Sequence, residues 1–259
     1  MTTTSNHNIA RLVDDFRQHG FVHVPQLLAE QEITELRAAA HAALTAEHIA
    51  KQCAGAGIAA TVDGWEHSNI LRKWALHPRL SAITGQLAGM PLRVWGIALL
   101  KAPNGNRPAG LHDDQTSELL DSRITLHAWV ALVDVPVERG CLTFLPGTHR
   151  RGGPERIDIT GVHLADLERE EPRSYLFDYW PDLRWTPRVT VPLRAGDVTF
   201  HHRRSAHSAG ANHTSQHRLS MLITYTDADA TYQPLSGHDP LPYQPDQPLP
   251  DERYPRLGR

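Results

Sequence analysis

Residues 123–134 have the sequence RITLHAWVALVD, and this segment alternates throughout its length. Its even-numbered residues, from Ile124 to Leu132, are all aliphatic, whereas the odd-numbered residues include Thr125, His127 and Trp129. Because side chains two positions apart on a strand project from the same face, the pattern predicts a strand with one apolar face. The other face brings a hydroxyl, an imidazole and an indole side by side.

More strands are predicted on either side of this segment, and helices before it. The predicted strands cover residues 21–24, 92–101, 141–144, 188–193, 198–202 and 218–226. The predicted helices cover residues 8–19, 29–50 and 78–88, while the Gly- and Ala-rich residues 53–64 predict a loop. Helices followed by a run of strands favour a helical layer packed on a double-sheet barrel.

This order of elements predicts a mainly β protein with N-terminal helices and a double-stranded β-helix, a jelly-roll barrel of the cupin type. We expect one domain over residues 1–259, with a helical layer at 1–90, the barrel at 91–227 and a proline-rich tail at 228–259. Residues 150–187 are polar, carry several Gly and Pro, and predict a lid. Aromatic side chains in this lid would suit a pocket for a ring-containing molecule: Tyr175, Phe177, Tyr179, Trp180 and Trp185.

Composition argues against several classes of function. Basic and acidic side chains nearly balance, 26 against 29, so no bulk charge favours nucleic acid or an anionic membrane. No apolar run approaches the about 20 residues of a membrane span, and the first residues lack a signal segment. Two cysteines, Cys53 and Cys141, make no disulfide framework. We expect a cytoplasmic protein that binds a small molecule, in an oligomeric state that the sequence leaves open.

His112 and Asp114 belong to the motif LHDDQ at residues 111–115. On a strand their side chains share a face, so both reach one point while Asp113 turns away. A further histidine is His207, and two imidazoles with one carboxylate form the facial site of non-haem Fe(II) oxygenases. By itself the His-x-Asp pattern is weak, because a chain with 17 histidines produces it by chance on surface loops.

Three blocks between about residue 92 and residue 226 together resemble the phytanoyl-CoA dioxygenase family of Fe(II)/2-oxoglutarate oxygenases. The first block is His112-Asp113-Asp114, and the second is LHAWVAL at 126–132 followed by GCLTFLPGTH at 140–149. The third is GDVTFHH at 196–202, then HSAGAN at 207–212, then Arg218. Their order and spacing are more specific than any single block.

The resemblance implies Fe(II) at the barrel mouth, held by His112, Asp114 and His207, with 2-oxoglutarate and O2 as cosubstrates. It also implies that Arg218 binds the far carboxylate of 2-oxoglutarate. A forked, permanently charged guanidinium suits a buried dicarboxylate, and lysine cannot make the same bidentate pair. The alternative for Arg218 is a surface salt bridge.

The resemblance places Trp129 at a cavity-lining position. If Trp129 points inward, strand alternation turns Thr125 and His127 inward too, where they could touch cosubstrate or substrate. For His127 a hydrogen-bonded barrel histidine is an equal alternative. His201 and His202 offer competing imidazoles, but the family motif and the spacing to Arg218 select His207 as the ligand.

The chain departs from the family at His207-Ser208-Ala209, where the family usually reads His-Gly-Ser. A serine hydroxyl that could assist the cosubstrate carboxylate is therefore displaced by one residue or lost. His149 closes a Pro-Gly-Thr-His turn, where capping is favoured over metal ligation. Three arginines at the head of the lid would either bind a CoA diphosphate or form a solvated face: Arg150, Arg151 and Arg156.

These features predict an Fe(II)/2-oxoglutarate-dependent dioxygenase that hydroxylates a small molecule, in a tailoring step of natural product biosynthesis, with release of succinate and CO2. Asp114 argues against halogenation, because halogenases of this broad class lack the carboxylate. Epimerisation, desaturation and ring closure use the same oxidising chemistry and stay open. Two rival interpretations are a cupin-like metalloenzyme without 2-oxoglutarate and a non-catalytic binding barrel.

Overall fold

Two antiparallel sheets lie face to face in the computed structural model, which describes residues 9–45, 59–62, 68–115, 119–151, 176–234 and 241–258. The strands in these ranges are β1 (Phe21–Val24), β2 (Ala59–Val62), β3 (Leu92–Ala102), β4 (Ala109–His112), β5 (Leu120–Asp121), β6 (Thr125–Ala131), β7 (Leu142–Phe144), β8 (Val189–Val191), β9 (Val198–His202), β10 (His207–Ala209), β11 (Arg218–Asp227) and β12 (Thr231–Tyr232). The α-helices are α1 (Ile9–His19), α2 (Glu30–Thr45), α3 (Asn69–Ala75), α4 (Pro78–Ala88) and α5 (Leu176–Tyr179). Short 3-10 helices occupy Val137–Arg139, Thr148–Arg150 and Pro181–Trp185.

In both sheets, neighbouring strands come from distant parts of the chain. The larger sheet has the order β1-β9-β6-β11-β3-β2, the smaller sheet has the order β4-β10-β7-β8, and β12 pairs with β5. All of these pairs are antiparallel. The predicted fold class, a mainly β jelly roll with N-terminal helices, is confirmed.

Strand β6 separates two apolar cores. Its even-numbered residues, from Leu126 to Leu132, pack with the helices in the larger core. Trp129 and Ala131 face the smaller sheet and pack with Leu142 and Phe144. The alternation predicted for residues 123–134 is therefore confirmed. The face of β6 that carries Thr125, His127 and Trp129 is turned toward the space between the two sheets.

The N-terminal third differs from its prediction in two places. Residues 53–64 were expected to form a loop, but Ala59–Val62 is strand β2, paired with β3. A short edge strand depends on hydrogen bonds from its neighbour, which local composition does not reveal. Helix α3 was not predicted; the Ser68 hydroxyl caps it by accepting from the backbone N–H of Leu71 at 3.3 Å. Residues 46–50, the end of the predicted second helix, lie outside the described residues. None of the described helices is long and apolar enough to span a membrane.

The proline-rich tail is attached to the larger sheet through Arg93 on β3. This arginine is fully buried and donates to the carbonyls of Ala228 at 2.8 Å and Leu249 at 2.7 Å. Its second Nη lies 2.9 Å from the Asp251 carboxylate. Tyr254 is also buried. The tail thus adds apolar residues to the larger core.

Candidate metal and cosubstrate site

Strand pairing brings the two predicted histidine ligands together. His112 ends β4 and is the register partner of His207, the first residue of β10. A register irregularity lies between His207 and Ala209. The two imidazole rings lie 4.4 Å apart between centroids.

Asp114 completes a group of three donors. His112 Nε2 lies 3.8 Å from Asp114 Oδ1, and His207 Nε2 lies 3.9 Å from Asp114 Oδ2. The donor atoms of these three side chains lie close enough together to hold one metal ion. The structure therefore brings together the residues for which the sequence predicted a facial site.

Both histidines are oriented by backbone carbonyls. His112 Nδ1–H donates to the Gly110 carbonyl at 2.7 Å, and His207 Nδ1–H donates to the Ser205 carbonyl at 3.0 Å. Because a carbonyl only accepts, these bonds fix the tautomer in which each Nε2 carries the lone pair that a metal ligand needs.

The charges around Asp114 also suit a cation. Burial raises the pKa of its carboxyl, but His127, His207, His201 and His112 together hold that pKa well below its usual range. Burial lowers the pKa of His112, and His207 lowers it further. At neutral pH the site offers a carboxylate and a neutral His112 imidazole, the protonation states that metal ligation needs.

Two more histidines face the same interior. His127 Nε2 and His201 Nε2 lie 3.3 and 3.7 Å from Asp114 Oδ2, and the two residues are register partners on β6 and β9. His202 points the other way, toward Phe16 and His149. Of the two competing imidazoles considered from the sequence, the structure brings only His201 into the site.

Arg218 begins β11 inside the barrel. Only 4% of its surface is exposed, and its hydrogen bonds within the described residues go to the carbonyls of Gly140 and Gly210. No carboxylate in the described part of the chain forms an ion pair with it, and burial lowers the pKa of its guanidinium. A buried cation without a counter-ion is unfavourable, so the described surroundings of Arg218 suit an anionic ligand.

Two buried hydroxyls accompany Arg218. Leu219, Met221, Ile223 and Tyr225 of β11 pack on the helix side, so Ser220 shares the barrel face with Arg218. The hydroxyls of Ser220 and of Thr199 on β9 are fully buried and have no hydrogen-bond partner among the described residues. Sequence reasoning missed Ser220, although its position two residues after Arg218 was a usable signal.

The remaining barrel residues differ in surroundings. Trp129 is buried and packs in the core between the sheets, as its predicted lining position requires. Thr125 is fully buried, and its hydroxyl lies 2.9 Å from Thr226 Oγ1 and 3.1 Å from Ser122 Oγ. His127 Nδ1 lies 3.0 Å from Thr224 Oγ1. Cosubstrate contacts of Thr125 and His127 stay predictions.

The serine next to His207 does not replace the family hydroxyl. Ala209 packs in the core between the sheets, whereas the intervening Ser208 is half-buried on the opposite face of β10. The inward position two residues after His207 therefore carries a methyl group. Of the two outcomes left open by the sequence, the hydroxyl is lost from the interior.

The lid contributes one described unit. Leu176 and Leu183 pack with Leu111 and Ala206, the residues beside two of the metal-ligand candidates. Trp185 is 86% exposed. Arg150 donates to the Gln18 carbonyl and Arg151 pairs with Asp182, while Tyr175, Arg156 and the rest of 152–175 lie outside the described residues.

His149 and Cys141 have structural surroundings. His149 Nε2–H donates to the Arg17 carbonyl at 3.1 Å, in agreement with a capping role. Cys141 is buried, and burial raises the pKa of its thiol.

Comparison with known proteins identifies relatives along most of the chain. The profile of the family described as phytanoyl-CoA dioxygenase (PhyH) matches residues 16–220. Phytanoyl-CoA dioxygenase domain-containing protein 1 of Mus musculus is 28% identical over 190 residues, which make up 71% of this chain and 62% of the mouse protein. The match thus spans less than two thirds of that relative's length.

Two solved structures from nogalamycin biosynthesis are similar over almost the whole chain. The epimerase SnoN, in complex with Fe3+, alpha ketoglutarate and nogalamycin RO, is 38% identical, with a TM-score of 0.82 over 97% of this chain and 99% of SnoN. The non-heme alpha ketoglutarate dependent carbocyclase SnoK is 38% identical, with a TM-score of 0.84 over 96% of each chain. The chain belongs to the phytanoyl-CoA dioxygenase (PhyH) family.

Proposed function

We propose that the chain is an iron- and 2-oxoglutarate-dependent oxygenase that modifies a small molecule in natural product biosynthesis. One observation carries this proposal: a facial group of two carbonyl-anchored imidazoles and a carboxylate shares the barrel with Arg218, a buried guanidinium with no ion-pair partner among the described residues. A metal alone would leave the charge of Arg218 unexplained. A chelating dicarboxylate satisfies both.

His112, Asp114 and His207 would hold Fe(II), and they leave about three coordination positions for other ligands. The side chains of His112 and Asp114 are 21% and 27% exposed, so the site opens toward solvent and substrate. The bound iron, with 2-oxoglutarate and O2, supplies the oxidising power that removes a hydrogen atom from the substrate.

Arg218 and Ser220 would bind the far carboxylate of 2-oxoglutarate. Arg218 offers free N–H groups beyond its carbonyl contacts, and the Ser220 hydroxyl has no partner in the described structure. Trp129 would bound the cosubstrate from the β6 side. His127 would contact either the cosubstrate or the metal ligands, and Thr125, engaged with Thr226, would shape the wall behind it.

The identity of the substrate is proposed from the comparison and from the lid. SnoN and SnoK come from nogalamycin biosynthesis, and we propose a natural-product intermediate for this chain as well. Phe177 and Trp180 of the lid pack beside the strands that carry the metal-ligand candidates, where aromatic walls would suit a ring-containing molecule.

Hydroxylation is one outcome of hydrogen removal, and Asp114 favours it over halogenation. A second candidate is epimerisation or carbon ring closure, which the 38% identity to an epimerase and a carbocyclase favours. Product masses separate them. Hydroxylation adds one oxygen atom, epimerisation leaves the mass unchanged, and ring closure removes two hydrogens.

Anaerobic addition of Fe(II) and then 2-oxoglutarate tests the proposal. A visible metal-to-ligand charge-transfer band should form with the wild-type protein, and Arg218→Lys should raise the 2-oxoglutarate concentration needed for it by at least about tenfold, because the forked contact is lost. Arg93→Lys is the matched control, since Arg93 is also buried and donates to carbonyls, but these belong to Ala228 and Leu249 rather than to the candidate site. Iron binding without a band would indicate a cupin-like enzyme, and neither iron nor band would indicate a binding barrel.

A further inference from the structure

Asp114 is shared by two groups of metal donors. The first is the facial group. In the second, the donor atoms of Asp114, His127 and His201 also lie close enough together to hold one ion. Ligands at about 2.0 to 2.2 Å from one ion lie about 3.0 to 3.5 Å from each other. The distances of 3.3 and 3.7 Å from Asp114 Oδ2 to His127 and His201 are closer to that range than the 3.8 and 3.9 Å of the facial group.

The imidazole of His127 has one buried ring nitrogen that lacks a hydrogen bond within the described residues. Its Nε2 is buried and makes no hydrogen bond within the described residues, despite a carboxylate oxygen 3.3 Å away. The ring is held from its other side by Thr224, 3.0 Å from Nδ1. Buried ring nitrogens are rarely left without a partner, so this one calls for a ligand.

The surroundings of His127 and His201 favour an ion of low coordination number. Only 7% and 2% of these side chains are exposed, and the His201 ring packs against Phe144 at 5.4 Å and His207 at 4.8 Å. The inner imidazoles are thus less exposed than that of His112, whose side chain is 21% exposed. Zn(II), which takes imidazole and carboxylate and is often held by three protein ligands with a fourth position open, fits this donor set.

We propose that Asp114, His127 and His201 form a second, inner position for a nitrogen-preferring divalent cation such as Zn(II), and that it is occupied alternately with the facial group. Both groups depend on the single Asp114 carboxylate, so the two positions compete for it. Zn(II) in the inner position withdraws Asp114 from the facial group and so competes with iron. The inner site goes beyond the proposed oxygenase function and does not depend on it.

Zinc titration of metal-free variants tests this proposal. His112→Ala/His207→Ala removes the facial imidazoles and should still bind about one Zn(II). Loss of an outer-shell partner weakens metal binding by about 10- to 100-fold. Adding His127→Gln and His201→Gln to this variant should weaken zinc binding by more than that. His213→Ala/His217→Ala, at two exposed loop histidines, controls for surface binding and should not change the affinity. The proposal is overturned if the first variant binds zinc no better than the fourfold variant.

A second measurement covers the case in which the variants do not fold. Wild-type crystals soaked in Zn(II) are measured at the zinc absorption edge. An anomalous peak within bonding distance of His127 and His201 supports the inner position, and a peak confined to His112 and His207 overturns it. The charge-transfer band with Fe(II) and 2-oxoglutarate tests the facial site separately, so the two failures are distinguishable.

Discussion

Ser220 is proposed to bind the far carboxylate of 2-oxoglutarate together with Arg218. Its hydroxyl is fully buried without a hydrogen-bond partner in the described structure, two residues along β11 from Arg218. A hydrogen bond to a charged group contributes about 1.5 to 3 kcal/mol. We therefore expect Ser220→Ala to raise the KM for 2-oxoglutarate at least about tenfold with little change in stability. Succinate release at varied 2-oxoglutarate measures it.

Ser208→Ala is the control, because Ser208 adjoins His207 but lies on the opposite face of β10. Its KM for 2-oxoglutarate should equal that of the wild type. If Ser208→Ala raised the KM and Ser220→Ala did not, the assignment of the carboxylate pocket would be wrong.

His149 couples stability to pH. Burial lowers its pKa, and Arg150 and His19 lower it further, while the bond to the Arg17 carbonyl raises it. A histidine with a lowered folded pKa takes up protons more readily when unfolded, so its contribution is complete above about pH 6.5 and is lost as pH falls below that value. His149→Gln keeps a donor but cannot titrate. The melting temperature of this variant should fall less between pH 8 and pH 5.5 than that of the wild type, and an equal fall in both would contradict the assignment.

The turn at Gly140, which ends the 3-10 helix Val137–Arg139, holds the Arg218 side chain in position through the Gly140 carbonyl. Gly140 has φ of 78°, and a Cβ there would overlap the carbonyl oxygen of Gly210, with Arg218 Nη1 also in contact. Gly140→Ala should destabilise the protein by about 1 to 3 kcal/mol and weaken 2-oxoglutarate binding, because the turn and the guanidinium must both move. Chemical unfolding and the charge-transfer titration measure these effects.

Gly89 offers the matched comparison. It also has a positive φ, 67°, but nothing lies within 4 Å of a Cβ at that position. Gly89→Ala should cost about 1 kcal/mol from backbone conformation alone and leave cosubstrate binding unchanged. Equal effects of the two substitutions on binding would argue that the Gly140 turn has no part in the site.

The attachment of the tail can be tested through Arg93. Replacing Arg93 removes the donor to the carbonyls of Ala228 and Leu249, and each buried acceptor left without a donor costs about 1 to 3 kcal/mol. We expect Arg93→Met to expose residues 241–258 to proteases at concentrations that leave the wild type intact. Arg256→Ala, at an exposed arginine that also pairs with Asp251, should change stability by less than about 1 kcal/mol. A protected tail in Arg93→Met would contradict this role.

Across the whole molecule, local sequence patterns predicted which face of a strand a side chain occupies better than which strands pair with each other. The period of two in residues 123–134 predicted which side chains of β6 share the interior, and the structure confirms it. The approach of His201 to Asp114 depends instead on the register of β6 with β9, in which His127 pairs with His201. Such pairing joins residues far apart in the chain, so no local pattern encodes it.

The candidate site shows the same division. His112, Asp114, His207 and Arg218 could be predicted because they stand in recognisable blocks. Ser220 could have been predicted from its position two residues after Arg218 on one strand, whereas the meeting of His127 and His201 at Asp114 could not, because it depends on the pairing of β6 with β9. Strand β2 was missed for a related reason, since its pairing with β3 is visible only in the folded chain.

An anaerobic crystal structure with Fe(II) and 2-oxoglutarate, measured at the iron absorption edge, tests the proposed metal and cosubstrate site most directly. We expect one iron peak within bonding distance of His112 Nε2, the Asp114 carboxylate and His207 Nε2, with the far carboxylate of 2-oxoglutarate on Arg218 and Ser220. Iron bound away from His112 and His207, or a cosubstrate carboxylate that does not contact Arg218, would contradict it.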